Sequence, residues 1–409
     1  MHRKIFFVII FAIHLLRHET AAAQWISQTS GTNQTLLGVS FTSVNVGIAV
    51  GVSGLILRTT NGGNNWNTQT SGTTRFLRSV HFAEANTGTT VGESGTILRT
   101  TNGGVNWASQ SSGTTNTFVH VHFSDTNTGN AVGLNGTIRR TNDGGASWSN
   151  QSSGTTVELA GVYLANRNIG AIVGFGGIIL RTTNGGATWT RQNSGVTTDL
   201  RSVHFVNADT GFVVGYNGTI LRTNDGGAIW TRQTSGTANN LFSVHFIDAN
   251  TGTAVGTGVI LRTTNGGSTW RSQPSGVTSD LYSVHFTDQN NGAAVGQLGR
   301  ILRTTNGGGT TKVDEKDSTP PENFGLEQNY PNPFNPTTKI RYYLPNHQFV
   351  ALKLFDILGH EITTLVNHHQ SAGEHEVIVD SAILRDSGVY FYRLTAGQYS
   401  ANRKMLFVE

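Results

Sequence analysis

At 409 residues the chain is long enough for two or three domains with proper cores. It contains no cysteine, which excludes disulfides, thiolate metal sites, cysteine nucleophiles and a lipid-modified N-terminal cysteine together. Fifty-one glycines beside only 13% charged residues suit an all-β chain with many tight turns. Of the formal charge of +4, residues 24–308 contribute +5, from 16 arginines and no lysine against 11 acids, residues 309–409 contribute −3 and residues 1–23 the remaining +2; the arginines are spread evenly rather than gathered in one patch, so no nucleic-acid partner is expected.

Residues 1–23 read as an export signal. Met1-His2-Arg3-Lys4 is a basic start, residues 5–16 are an apolar run, and Ala21-Ala22-Ala23 is a small-residue cleavage site before Gln24. The run is too short to span a bilayer and no later apolar segment is longer, so the mature chain is expected to have no transmembrane segment.

From Trp25 onward the sequence repeats. The seven tryptophans, Trp25, Trp66, Trp107, Trp148, Trp189, Trp230 and Trp270, lie 41 residues apart five times and 40 once, and a Gly-Gly turn recurs from Gly62 to Gly307 in step with them. Each copy reads as four short strands. In the second, residues 76–82 alternate, Asn86-Thr87-Gly88 turns the chain, 89–92 and 96–100 are further strands, Asn102-Gly103-Gly104 turns again and Trp107 opens the fourth. Asn-Gly and Gly-Gly supply the positive φ that such turns need. Four antiparallel strands in each period make one blade of a β-propeller. Trp25 has no Gly-Gly turn before it, and the turn at Gly307 has no Trp strand after it. Turns and strands pair only if residues 25–31 supply the outer strand of the last blade. The fold class predicted for residues 24–311 is therefore all-β, a seven-bladed β-propeller closed by an N-terminal strand.

The turn-plus-Trp unit resembles the Asp-box (BNR) repeat, and the blade SVHF…NTGxAVG…GTILRTTNGGxxW is similar to the family of photosystem II stability and assembly factors and their non-photosynthetic relatives. Only Asp143 and Asp225 keep the Asp of the box; Asn61, Asn102, Asn184, Asn265 and Asn306 replace it elsewhere. Asn makes the same local turn bond, while a calcium site would lose its carboxylates, and no metal or other cofactor is expected.

A feature repeated in every blade points first to a fold-forming turn. The arginines of the third strands, Arg58, Arg99, Arg140, Arg181, Arg222, Arg262 and Arg303, are open to two readings. No acid recurs at a fixed offset, so carbonyls or the Trp face take each guanidinium, or the set forms an anion-binding ring for an acidic polymer. His81, His122, His204, His245 and His285 recur in the first strands and are expected to be packing residues. Residues that break the symmetry are the better binding candidates. The link between second and third strands varies through Val52, Glu93, Leu134, Phe175, Tyr216 and Gln297, of which Glu93, Phe175 and Tyr216 could contact a ligand at the central opening. No catalytic residue is assigned. Asp-box propellers include sialidases, but no arginine cluster with a Tyr and Glu pair and no pair of acids in a motif is found.

Residues 312–323 (KVDEKDSTPPEN) are a charged, Pro-containing linker. In residues 324–409, NYPNPFNPTT introduces strands over residues 339–344, 351–356, 374–379, 388–394 and 404–408, an Ig-like β-sandwich. NYPNPFNPTT, LFDILGHEI, SGVYFYRL and RKMLFVE together resemble the C-terminal sorting domain of type IX secretion. That resemblance implies the type IX machinery as a partner, passage through the periplasm, and release or attachment at the outer-membrane surface. The sequence thus points to an exported, non-catalytic binding module for a protein or glycan. A glycoside hydrolase or lyase on extracellular polysaccharide is the alternative, and a photosystem-type assembly factor the third reading.

Overall fold

In the computed structural model, residues 25–309, 324–370, 372–384 and 386–408 are described. The expected signal segment and linker lie outside them. The chain divides into two compact units, 1–311 and 312–409.

The first unit consists, among the described residues, of seven four-stranded antiparallel sheets. In the second sheet the strands are Leu77–Glu84, Thr87–Gly92, Ile97–Thr100 and Ala108–Ser109, joined in chain order. The fourth is shorter than the sequence suggested and begins after Trp107. The second strands are buried almost throughout and the outer strands mostly exposed, while the inner strands mix buried and half-buried residues. The seventh sheet is Leu281–Phe286, Gly292–Gly296, Ile301–Thr304 and, as its outer strand, Ile26–Gln28, with Ile26 opposite Arg303 and Gln28 opposite Ile301. This sheet shares an apolar cluster with the first, in which Leu36 and Val39 meet Ala293, Val295 and Ile301.

The recurring residues have local roles. Each Trp lies edge-on to the Phe that ends its own blade's inner strand, as in Trp66 on Phe41 at 5.9 Å and Trp148 on Phe123 at 6.0 Å. Trp189 has Leu164 in that place. The Phe ring lies over a glycine at the start of the second strand; a Cβ at Gly88 would stand 2.7 Å from the Phe82 ring. The Arg-Thr-Thr-Asn-Gly-Gly stretch is a turn locked by two side chains. Thr182 Oγ1 accepts from Gly186 N (2.8 Å) and donates to Asn184 Oδ1 (3.0 Å), and Asn184 Oδ1 accepts from Thr188 N (3.0 Å). The same Thr is at most 2% exposed wherever the turn recurs. Thr182→Val is expected to cost roughly 1–3 kcal/mol, because it strands a buried N–H; equilibrium denaturation would show it as a lower midpoint.

Among its described residues the second unit has two sheets. One comprises Gly325–Leu326, Thr337–Leu344 and Gly373–Asp380; the other has the order Glu361–Gln370, Gln348–Phe355, Gly388–Ala396, Tyr399–Phe407. Their shared core includes Ile340, Tyr342, Leu352, Leu354, Tyr392 and Met405. The strand Glu361–Gln370 was not anticipated. The Asn-Pro-rich loop folds back on the last strand: Phe334 N donates to Leu406 O, and Val408 N donates to Phe334 O. Asn329, 2% exposed, donates to Pro331 O and Thr338 Oγ1.

Candidate functional site

The inner strands line a channel with a cavity of ≈ 170 Å³. Every inner strand slips register between its first and third residues, for example between Leu77 and Ser79 and between Leu200 and Ser202, and Leu77–Glu84 slips again between Phe82 and Glu84. The bulged second residue is Leu37, Arg78, Val119, Ala160, Arg201, Phe242 or Tyr282, all of which line the channel. A bulge turns a side chain out of the alternation, here toward one mouth. The third residue joins neighbouring blades. Val121 N donates to Ser79 Oγ, Val244 N to Ser202 Oγ, Val284 N to Ser243 Oγ, Val39 N to Ser283 Oγ and Val162 N to His120 Nδ1. These bonds occupy backbone donors that would otherwise lie open along the axis.

At the mouth the bulged residues meet the short turns that follow the second strands. Glu93 accepts from Arg78 at 3.3 Å and from Phe76 N. Arg201 pairs with Glu158 at 3.4 Å, and its guanidinium carbon stands 5.4 Å from the centre of the Phe175 ring and 5.7 Å from that of Tyr216. Tyr216 meets Phe242 at 6.1 Å, and Phe242 meets Tyr282 at 5.4 Å. Gln297 Nε2 donates to Asp280 Oδ2 (2.9 Å) and to Tyr282 Oη (3.1 Å). Burial, opposed by the Gln297 hydrogen bond, raises the Tyr282 phenol above its usual value. All these side chains are half-buried, neither sealed nor free. Glu93, Phe175 and Tyr216 do not themselves line the channel; each touches a side chain that does, Glu93 on Arg78, Phe175 on Arg201, and Tyr216 on Arg201 and Phe242. Arg78, Arg201, Phe242 and Tyr282 were not anticipated. Their signal was the same, a varying residue at one repeated position, but inside a strand that otherwise looks regular.

The arginine series lies elsewhere. Arg58 and Arg181 donate to Gly103 O and Gly226 O of the next blade's turn. Arg99, Arg140, Arg262 and Arg303 reach Thr126 O, Arg167 O, Gln289 O and Val44 O in the next blade's first loop. The faces they cover are Phe rather than Trp, as for Arg99 over Phe123, Arg262 over Phe286 and Arg303 over Phe41. Arg222 rests over Phe212 of its own blade. Arg140 and Arg303 are buried and the others half-buried. Burial lowers Arg262 to about 10. The series thus occupies the seams between blades, its guanidiniums spent largely on carbonyls.

The histidines form an arc around the axis. Successive ring centroids from His81 through His122, Tyr163, His204 and His245 to His285 are 4.0–4.7 Å apart, with Ser40 at the remaining position. His81 Nδ1 accepts from Phe123 N and His122 Nδ1 from Leu164 N, which places the proton of the neutral ring on Nε2. Burial first, and for His81 the neighbouring imidazoles second, lowers His81 and His204 to about 3 and His120 and His285 to about 4; His122 and His245 lie well below the usual value.

With this geometry in hand the chain can be compared with known proteins. Residues 17–111, 106–196 and 192–274 match the family described as photosynthesis system II assembly factor YCF48, and residues 328–408 match the secretion system C-terminal sorting domain. No curated protein matches. Among solved structures, YCF48 bound to D1 peptide is similar at TM-score 0.59 and 22% identity, over 69% of this chain and 95% of that one. YCF48 from Cyanidioschyzon merolae is similar at 0.58 and 22%, over 69% and 98%. The WD40 β-propeller domain of Doa1 follows at 0.57 and 13%, over 68% and 96%. These three are likenesses of fold. The tail is one that hands a chain to the type IX secretion machinery, so the propeller is a secreted one. With three successive matches spanning more than half of its length, the chain belongs to the YCF48 photosynthesis system II assembly factor family and carries a secretion system C-terminal sorting domain at its end.

Proposed function

We propose that the propeller is a non-catalytic recognition module, delivered through the periplasm to the cell surface or medium, whose ligand site is the mouth framed by Arg78, Arg201, Phe242 and Tyr282. The observation that carries this reading is the break in symmetry there: aromatic rings from four successive blades, Phe175, Tyr216, Phe242 and Tyr282, are chained together beside Arg201, while the other three blades contribute Leu37, Arg78 and Val119. A structural seam would repeat in every blade. The carboxylates at the mouth each hold a local partner, Glu93 with Arg78, Glu158 with Arg201 and Asp280 with Gln297, and an acid tied down in this way is a poor proton donor or nucleophile. One structural neighbour was solved with a peptide on it, which fits a fold used for binding. The sorting tail argues against a photosynthetic role, because an assembly factor must stay by its membrane complex.

The test has two parts. A chain lacking residues 324–409 is expected to accumulate in the periplasm, whereas normal secretion of that truncation would remove the address. The mature chain, exposed to arrays of glycans and surface proteins, is expected to bind without generating new reducing ends. Appearance of reducing ends would replace the binding reading with a glycoside hydrolase or lyase.

A further inference from the structure

We infer that the ligand of this mouth is a neutral polysaccharide, with a sugar ring seated against Phe242 and Tyr282 and its hydroxyls taken by Asp280 and Gln297. The inference rests on the binding reading above and adds the ligand's chemistry. Four features select it.

The first is charge. Arg78 and Arg201 are each paired, with Glu93 and Glu158, and Asp280 adds one further acid, so the mouth holds no excess of positive charge to attract a polyanion. The second is the pairing of apolar and polar surface. The half-exposed rings of Phe242 and Tyr282 lie 5.4 Å apart, and beside them Gln297 Nε2, Asp280 Oδ2 and Tyr282 Oη stand within 3.4 Å of one another. A sugar ring presents just such a combination: an apolar C–H face on one side, and neighbouring hydroxyls that both donate and accept at its edge. With both Gln297 amide N–H groups spent on Asp280 and Tyr282, the cluster offers its remaining acceptors, the Asp280 carboxylate and the Gln297 carbonyl oxygen, to which two adjacent sugar hydroxyls can donate.

The third is size. The channel below the mouth encloses about 170 Å³, less than the ~300 Å³ at which small-molecule pockets begin, so the ligand lies across the opening as a chain rather than being swallowed by it. The fourth is the backbone. An extended peptide is most readily held by adding it to a strand edge, but at the inner strands Val39, Val121, Val162, Val244 and Val284 already give their N–H groups to side chains of the adjacent blade. Recognition is left to side chains, which suits a sugar better than a peptide backbone.

Affinity gel electrophoresis of the mature chain through xyloglucan, galactomannan and laminarin, and in parallel through alginate, polygalacturonate and heparin, tests the inference. Tyr282→Ala and Gln297→Ala are run beside the wild type, with tryptophan emission as the check on folding. The expected result is retardation by at least one neutral polymer, little changed by salt, and weakened at least tenfold in both variants. Retardation only by the charged polymers, abolished by salt, overturns the neutral-glycan inference. So does retardation by a neutral polymer that both folded variants leave intact, and so does no retardation by any of the six. A parallel peptide array separates the two claims: peptide capture lost in Tyr282→Ala sinks the glycan inference and keeps the recognition mouth, whereas mouth variants that alter neither glycan nor peptide binding sink both.

Discussion

Removing residues 25–31 is expected to lower the melting temperature of the propeller by roughly 10 °C or more. Trp25 is 1% exposed, lies edge-on to Phe286 at 5.7 Å and donates its indole N–H to Gln273 Oε1 at 2.9 Å. Losing such a side chain alone costs about 3–5 kcal/mol, and in a domain of this size each kcal/mol lowers the midpoint by about 2–4 °C. The deletion also takes Ile26–Gln28 away from Ile301–Thr304, exposing a strand edge that invites association. It removes Gln28 as well, whose amide donates to Gly62 O and accepts from Trp66 Nε1 in the first blade. A segment next to the first blade in sequence but far from the last thus ties the last sheet to the first. Trp25→Ala should reproduce a large share of the effect. A melt unchanged by the deletion would contradict this role.

Acid is expected to unfold the propeller well before it unfolds an ordinary domain. His81, His120, His122, His204, His245 and His285 all have folded values below the ordinary imidazole value of 6.5. A group held low in the folded state takes up its proton on unfolding, so the stability it contributes is complete above about pH 6.5 and is lost as pH falls toward its folded value, here about 3 to 4. Each proton taken up is worth about 1.4 kcal/mol per pH unit, so several acting together remove most of a domain's stability by about pH 5. All seven tryptophans lie in the propeller and none in the tail, so their emission follows this unit alone. The midpoint should fall steeply between pH 6.5 and 4.5, with several protons absorbed. The double variant His204→Ser/His245→Ser adopts the residue that Ser40 already provides in the first blade, and it should flatten the profile. A flat profile in the wild type would show that the arc does not titrate on unfolding.

Much of the fold was legible because its devices are simple and repeated. Spacing of the tryptophans gave the blades, Asn-Gly-Gly gave the turns, and Thr182 with Asn184 shows why that turn tolerates Asn for Asp: only an acceptor oxygen is required. The partner of each Trp was less legible. The ring meets a Phe in its own blade, while its N–H can reach a Gln of the preceding one, as Trp189 reaches Gln151. In the tail, Glu361–Gln370 escaped notice because only Val366 along it is buried, so a strand exposed on most of its length carried no clear alternation.

The mouth shows where sequence reading stops. Alternation assigns Arg78 and Arg201 to the same face as the valines two residues on. The register slip beside Leu77 and Leu200 sends them to the mouth instead, and a single-residue bulge leaves no mark in the pattern. Glu93, Phe175 and Tyr216 were visible because they sit in turns that vary. The arginine series was visible because it repeats, and repetition proved to mark the seams.

The most direct measurement compares these two sets of residues in one titration. The mature chain, Arg201→Ala/Tyr282→Ala and Arg222→Met are titrated calorimetrically with the same ligand drawn from the arrays, each sample also being assayed for reducing ends. The account expects binding by the wild type and by Arg222→Met, at least a tenfold loss in the mouth variant, and no new ends. Undiminished binding by the mouth variant, or release of reducing ends, would contradict it.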